Sequence, residues 1–151
     1  MRMICVQILM IGIAMWYEPD VAAQVKQQPG PSVELLREVL AAFNRHDLDR
    51  IMEFFADDCV LLMPRGPAPW GQRFEGKPEV RKALASRFDG IPDVQYTDEH
   101  HWISGSRGVS QWTLTGTTRA GVRVRVQGLD LFEFRGEQIV KKDSYWKIVE
   151  R

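Results

Sequence analysis

The stretch VRVRVQGLDLFEF, residues 122–134, decides the fold class because apolar and polar residues alternate along it. Successive side chains of a β-strand point to opposite faces of the sheet, so the pattern predicts one long strand. One face of this strand would carry the following residues: Val122, Val124, Val126, Gly128, Asp130, Phe132 and Phe134. Gly128 is a natural place for a β-bulge in a strand that must bend.

Asp130 is the acidic residue on that apolar face. A carboxylate among valines and phenylalanines loses hydration unless it is paired, hydrogen-bonded or protonated. Burial of this kind can produce a catalytic or ligand-orienting acid. It also occurs in ion pairs that only support the fold, and the sequence leaves both interpretations open.

Around this strand, the chain is predicted to have helices first and strands afterwards. Ser32 caps a helix that runs to Asn44, Asp47 caps a second helix, and a third runs from near Pro78 to Phe88. The predicted strands are residues 59–63, 94–103, 109–117, 122–134 and 138–149, with turns at 118–121 and 135–137 and an irregular proline-rich loop at 64–71. This order is typical of an α+β domain.

The composition indicates one globular domain without a nucleic-acid partner or a metal. The chain has 151 residues, 20 Lys+Arg and 20 Asp+Glu, and a formal net charge of zero. It has no basic stripe of the kind that binds nucleic acid. Its two cysteines, Cys5 and Cys59, form neither a disulfide framework nor a zinc-binding spacing.

The N-terminal segment differs from the rest. Arg2 is followed by an apolar run over residues 3–16, and small residues at 21–23 precede Gln24, which is the order of a secretory signal peptide. Residues 1–23 are therefore either a signal peptide or a non-native extension from a start codon assigned too far upstream. A signal would make the protein periplasmic or secreted, and otherwise it is expected in the cytoplasm. Residues 24–31 read as a linker before a domain over residues 32–151.

Three segments resemble a known family: LLREVLAAFNRHDLDRIMEFFADDCVLLMPRG at 35–66, GKPEVRKAL at 76–84 and GLDLFEFRGEQIVKKDSYW at 128–146. They resemble the SnoaL-like and ketosteroid isomerase-like branch of the nuclear transport factor two-like superfamily, over residues 32–149. The resemblance implies a cone, in which three N-terminal helices pack in the concave side of a curved, mainly antiparallel sheet with a ligand pocket at the open end. It also implies a homodimer. Members include isomerases, cyclases, hydrolases and non-catalytic binders, so the fold does not specify the activity.

The resemblance transfers catalytic residues only in part. Asp130 matches the protonated aspartate of the oxyanion hole in ketosteroid isomerases. The isomerase base falls at Met63 and the oxyanion-hole tyrosine at Val39, so steroid isomerase activity is not expected. The last-strand aspartate of related hydrolases and cyclases falls at Ser144, with Asp143 on the opposite face.

The partner of Asp130 depends on the register of the last hairpin. A three-residue loop at 135–137 would place Lys142 opposite Asp130, where cross-strand Cβ atoms are roughly 5 Å apart, and would keep the carboxylate ionised. A loop longer by one residue would place Asp143 there and favour one shared proton.

His100 and Trp102 share a predicted strand face with Tyr96, so His100 is the histidine expected to point inward. It is a candidate proton carrier, or else a hydrogen-bonded wall or surface residue. In the proline-rich loop, Arg65 is a candidate for binding a substrate carboxylate, and Trp70 for covering an apolar ring.

Two more tryptophans are candidate pocket residues. Trp112 lies on a predicted buried strand face, and Trp146 shares a face with Lys142 and Ser144. Both are expected either to line the substrate pocket or to belong to the core. The other candidate substrate-binding residues are Trp102, Lys142 and Ser144.

These observations lead to two functional hypotheses. The first is a cofactor-free isomerase, cyclase or hydrolase that acts by proton transfer on a small apolar carbonyl compound, with Asp130 and His100 as catalytic residues. The second is a non-catalytic protein that binds a small apolar or aromatic ligand. A third hypothesis is a dimerisation module, in which Leu129 and Leu131 form a small contact on the outer face of the sheet.

Overall fold

Three helices and six strands form the part of the chain that the computed structural model describes, residues 29–150. The helices are α1 (Val33–Asn44), α2 (Leu48–Glu53) and α3 (Lys77–Gly90). The strands are β1 (Phe55–Ala68), β2 (Gly71–Glu75), β3 (Gln95–Ser104), β4 (Arg107–Thr117), β5 (Arg123–Arg135) and β6 (Gln138–Trp146). The predicted signal or extension, residues 1–23, and most of the predicted linker lie outside the described residues.

The first two helices begin where their capping residues predict. The Ser32 side chain accepts a hydrogen bond from the backbone N–H of Leu35 at 3.0 Å, and Asp47 accepts one from that of Arg50 at 3.0 Å. Each cap satisfies one of the N–H groups that the first turn of a helix leaves without a partner. Helix α2 has six residues, and Phe55 begins β1 soon after it.

The six strands form one sheet in the order β2-β1-β6-β5-β4-β3. Strands β1 and β6 are parallel, and all the other neighbours are antiparallel. The helices pack against one face of this curved sheet, where α1 contacts β3 and α3 contacts β1. The predicted α+β cone is confirmed. None of the helices within residues 29–150 has the length and apolarity needed to cross a membrane.

The proline-rich segment is not the irregular loop that its composition predicts. Strand β1 continues to Ala68, and β2 returns antiparallel to it, with Met63 opposite Gln72. The register is interrupted between Met63 and Ala68, so the prolines at 64 and 67 lie where ladder pairing is not required. At Gly66 an added Cβ would lie 2.1 Å from the Gln72 nitrogen, which shows how closely the two strands approach. The prediction missed β2 because Pro and Gly usually mark loops.

Candidate functional site

Asp130 lies on the inner face of the sheet with only 4 % of its surface exposed. Its Oδ1 accepts hydrogen bonds from Lys142 Nζ at 2.5 Å and from Ser144 Oγ at 2.6 Å. Its Oδ2 accepts one from Trp112 Nε1 at 2.9 Å. The predicted inward orientation is therefore confirmed. The buried carboxylate is both ion-paired and hydrogen-bonded, as burial of a charge requires.

Neither predicted hairpin register is correct. Ser144 lies opposite Asp130, and Lys142 lies opposite Phe132. Two features combine to give this register: Arg135 pairs directly with Gln138, and a bulge before the Phe134–Ile139 pair adds one residue to β6. Lys142 reaches Asp130 as a diagonal neighbour on the same face.

Asp143 lies on the other face of β6, opposite Leu131. Its Oδ2 accepts a hydrogen bond from the Tyr145 hydroxyl at 3.2 Å. A proton shared between Asp130 and Asp143 is therefore excluded by their orientations, whereas the predicted contact between Asp130 and Lys142 is confirmed.

Lys142 is held in an apolar setting. Its Nζ donates a second hydrogen bond to Ser144 Oγ at 2.8 Å and lies 5.6 Å from the centre of the Phe43 ring. Burial lowers the pKa of Lys142, and the carboxylate of Asp130 opposes that shift. Each of the two charged groups thus compensates the other for the hydration that it loses on burial.

The space beside Asp130 is small. A cavity of about 10 Å³ is bounded by Asp130, Lys142, Ser110, Tyr96 and apolar residues of α1. That volume holds about one water molecule. Burial raises the pKa of Tyr96 to about 12, so its hydroxyl keeps its proton at neutral pH. An organic ligand does not fit beside Asp130 in this arrangement.

Trp112 belongs to the core and orients Asp130. Its indole meets Tyr96 edge-on, with ring centroids 5.1 Å apart, and lies across β5 at Gly128. An alanine Cβ at Gly128 would lie 2.4 Å from Trp112 Cη2. The predicted bulge at Gly128 is wrong, because the pairing on both sides of it is continuous. The glycine instead leaves room for the indole.

A larger cleft of about 460 Å³ opens between α3 and the β1–β2 hairpin. Its apolar lining includes Met63, Phe74 and Ile91, and its cationic lining includes Arg65 and Arg87. The Arg87 guanidinium carbon lies 4.5 Å from the centre of the Trp146 ring, and that of Arg65 lies 5.7 Å from it. Trp146 in turn meets Trp112 edge-on, with centroids 6.5 Å apart. The two indoles therefore stand between the cleft and Asp130.

Arg87 was missed by the sequence reasoning. The signal was present, since Arg87 follows Val80, Ala83 and Leu84 at the spacing of one helix face, and these three are buried. A cation on such a face requires an aromatic or anionic partner. Its aromatic partner, Trp146, is distant in sequence and could not be identified without the fold.

The predicted inward orientation of His100 is wrong. The register of β3 shifts between Thr97 and His100, where Asp98 has a positive φ of 53°. This irregularity exchanges the two faces of the rest of the strand. His100 is exposed, and Trp102 is 51 % exposed with its ring stacked on His100, 6.2 Å between centroids.

His101 points inward instead. Its Nδ1 lies 2.8 Å from Ser110 Oγ, and burial lowers the pKa of its imidazole. Its Nε2 is buried without a hydrogen-bond partner among the described residues. Ser110 borders the small cavity beside Asp130, so His101 is the histidine connected to that region.

Trp70 is 59 % exposed at the turn between β1 and β2 and is not among the cleft-lining residues. Its predicted role as a cover for an apolar ring has no support in this geometry. Within residues 29–150, no group of three His, Cys, Asp or Glu side chains is arranged to hold a metal ion.

Solved structures share this fold at low sequence identity. A candidate polyketide cyclase from Xanthomonas campestris pv. campestris is 22 % identical, with a TM-score of 0.67 over 76 % of this chain and 88 % of that one. A candidate isomerase from Bacillus subtilis is 21 % identical, with a TM-score of 0.65 over 76 % and 84 %. A protein with a ketosteroid isomerase-like fold from Catenulispora acidiphila, solved with trimethylamine, is 18 % identical, with a TM-score of 0.68 over 78 % and 88 %.

No curated protein sequence matches the chain. The model of the SnoaL-like domain family matches residues 36–142, which run from α1 into β6 and include Asp130 and Lys142. The chain therefore belongs to the SnoaL-like domain family.

Proposed function

We propose that this SnoaL-like protein binds a small molecule with an apolar body in the cleft between α3 and the β1–β2 hairpin. The observation that carries the proposal is the lining of this cleft, in which apolar side chains lie next to two guanidinium groups. The cleft of about 460 Å³ lies within the range of roughly 300–1,000 Å³ that is usual for small-molecule sites. The cavity beside Asp130 has room for about one water molecule.

In this proposal the Asp130–Lys142 pair supports the site and does not contact the ligand. Asp130 holds the Trp112 indole through its Nε1, and Trp112 packs against Trp146. Trp146 does not line the cleft itself but lies against the guanidinium groups of Arg65 and Arg87, which do. The buried pair thus fixes the back of the cleft, as a rigid supporting shell does for a binding site.

The test is binding of a neutral apolar fluorophore, N-phenyl-1-naphthylamine, with a variant that fills the cleft. Ser86 is an exposed residue of α3 that lines the cleft, whereas Ser104 is exposed at the far end of β3. We expect saturable binding that Ser86→Trp weakens at least about tenfold, or about 1.4 kcal/mol. Ser104→Trp is the matched control and should bind like the wild type. Absence of saturable binding, or equal binding by the two variants, would contradict the proposal.

A second candidate function is cofactor-free proton transfer with Asp130 as the acid–base group. It is favoured by the burial of Asp130, and it requires the cavity of about 10 Å³ beside Asp130 to widen when a substrate binds, because an organic ligand does not fit there in this arrangement. The assay is exchange of α-protons for deuterium in a panel of small cyclic ketones, followed by NMR. If the protein is such an enzyme, Asp130→Asn slows the exchange at least about 100-fold while circular dichroism shows an intact fold. Exchange that is absent in the wild type, or unaffected by Asp130→Asn, removes this candidate.

We further propose a homodimer through the outer face of the sheet. Leu131 and Tyr145 are exposed large side chains on neighbouring strands of that face, at 40 % and 51 % exposure. Light scattering coupled to size exclusion should give twice the monomer mass, and Leu131→Lys should shift it to the monomer.

We also propose that the protein is exported, on the basis of the signal-like order of residues 1–23. N-terminal sequencing of the mature protein should then start at Gln24, and an intact Met1 would contradict export.

A further inference from the structure

We infer that the ligand of the cleft carries a carboxylate or a similar planar anionic group, which Arg65 and Arg87 bind together. This inference rests on the proposed function, since it assigns the chemical class of the ligand to the same cleft. It depends on three features of the site: its charge, the absence of built-in anions, and the arrangement of the two arginines around one ring.

The first feature is the charge of the lining. Arg65, Lys82 and Arg87 line the cleft, and no acidic residue is among the residues that line it. Lys82 already has a partner, because its Nζ lies 2.6 Å from Glu79 Oε1. Among residues 29–150, neither Arg65 nor Arg87 forms an ion pair with a carboxylate. The cleft therefore has two guanidinium groups whose charge is not balanced locally.

The second feature is that acidic residues near the cleft in sequence are committed to other cations. Glu75, at the end of β2, pairs with Arg73. Asp89, near the end of α3, pairs with Arg119. Both carboxylates therefore already have a cationic partner. The missing negative charge is then expected from a ligand.

The third feature is the arrangement around Trp146. Both guanidinium carbons lie within 6 Å of the centre of its ring, at 5.7 Å for Arg65 and 4.5 Å for Arg87. Contact with an aromatic face restricts a guanidinium while leaving its N–H donors available to a planar anion. Two like charges around one ring repel each other, and an anion bound between them relieves that repulsion. Trp146 is thus the platform on which the arginines are presented.

The apolar part of the cleft defines the rest of the ligand. Met63, Phe74 and Ile91 line it together with the two arginines, and Arg87 Nη2 lies 3.9 Å from Met63 Sδ. Apolar walls lower the local dielectric constant and strengthen the attraction between the guanidinium groups and an anion. An aromatic or alicyclic carboxylate satisfies both parts, with its ring on the apolar walls and its oxygens between the arginines.

The experiment compares two probes of the same shape, 2-naphthoate and 2-naphthamide, by isothermal titration calorimetry. We expect the anion to bind roughly tenfold more tightly than the amide, because hydrogen bonds to an ionised acceptor are stronger than those to a neutral one. Arg65→Met and Arg87→Met keep the apolar stem and remove the charge. Each should abolish most of the preference for naphthoate, and the affinity for the amide should change much less than the affinity for naphthoate.

Arg37→Met is the matched control, because Arg37 lies on α1 in an exposed pair with Glu34. It removes one positive charge away from the cleft and should retain the preference. Equal binding of the two probes by the wild type would overturn the inference and leave the proposed function standing. Binding of neither probe would remove the proposed function and the inference with it. Equal loss in Arg37→Met and Arg87→Met would show a long-range charge effect and would also overturn the inference.

Discussion

The molecule contains two cationic regions that differ in where their negative charge comes from. In the sheet interior, Lys142 is buried with its own anion, Asp130, 2.5 Å away. In the cleft, Arg65 and Arg87 border open space and have an aromatic ring but no carboxylate partner among the described residues. A buried charge must be compensated within the chain, because its desolvation penalty is several kcal/mol. A cation that remains in contact with water can stay hydrated until a ligand arrives.

The two regions are also connected. Trp112 donates to Asp130 and meets Trp146 edge-on, and Trp146 contacts both arginines of the cleft. The two regions are thus joined through the two tryptophans but have different roles. The Asp130–Lys142 pair stabilises the fold, whereas Arg65 and Arg87 are available to bind an anion. Substitutions in each region test that division.

The largest effect is expected from breaking the internal pair. Asp130→Leu leaves Lys142 buried without an opposite charge, which typically destabilises a protein by about 3–5 kcal/mol. Urea unfolding followed by tryptophan fluorescence gives the free energy of unfolding. A loss below about 1 kcal/mol would contradict the role assigned to the pair.

The matched control replaces both partners by apolar residues of similar size. Asp130→Leu combined with Lys142→Met removes both buried charges, and such replacements are often neutral or stabilising by about 1–4 kcal/mol. We expect the double variant to regain most of the stability that Asp130→Leu loses. If it stays as unstable as the single variant, the cost comes from packing or from the lost hydrogen bonds of Trp112 and Ser144, and not from charge.

The next effect tests the path between the regions. Gly128→Ala would place a Cβ 2.5 Å from the backbone oxygen of Tyr145 and 2.4 Å from Trp112, and the backbone cannot yield easily. We expect a loss of about 1–3 kcal/mol in the free energy of unfolding, with a change in tryptophan fluorescence as Trp112 moves. Gly30→Ala is the control, since its Cβ meets nothing within 4 Å. Equal stability of the two variants would show that the indole does not need the glycine.

A smaller effect is expected in the cleft. Arg87→Met removes a cation from the Trp146 ring, a contact worth about 0.5–1 kcal/mol at exposed sites. The stability loss should therefore stay below about 1 kcal/mol by urea unfolding. A loss as large as that of Asp130→Leu would mean that the arginine supports the fold, and the contrast between the regions would disappear.

The smallest effect is expected at His101, whose side chain is half-buried. Burial lowers the pKa of His101, so near pH 6 the unfolded state binds a proton more readily than the folded state does. Above the unfolded pKa of about 6.5, the neutral imidazole of His101 leaves the free energy of unfolding at its full value. That free energy decreases as the pH falls through about 6.5, because the unfolded state then takes up the proton first. His101→Asn should reduce the decrease in the free energy of unfolding between about pH 8 and about pH 5, measured by urea unfolding. An unchanged slope would contradict this assignment.

Local signals in the sequence predicted much of the fold. The caps at Ser32 and Asp47 depend on neighbouring backbone groups, and the alternation around Asp130 depends on strand geometry alone. These features need no knowledge of distant residues, and each prediction is confirmed.

The errors arise where one residue changes a register or where contacts are distant in sequence. The irregularity at Asp98 exchanged His100 for His101, and the bulge in β6 moved Ser144 opposite Asp130. A shift of one residue turns every later side chain to the other face, and its position has no clear sequence signal. The contact between Arg87 and Trp146 joins α3 to β6 and becomes visible only once the chain has folded.

The position of β6 between β1 and β5 has a consequence for protein synthesis. One edge of β1 pairs with β2, which follows it directly in the chain, but its other edge pairs with β6, which is synthesised after all the other strands. Before β6 is in place, this edge of β1 is unpaired and can form hydrogen bonds with a strand of another chain. The same strand brings Lys142 and Ser144, so Asp130 acquires its ammonium and hydroxyl partners in the step that closes the sheet. The addition of β6 therefore completes the sheet and pairs the charge of Asp130 in the same step.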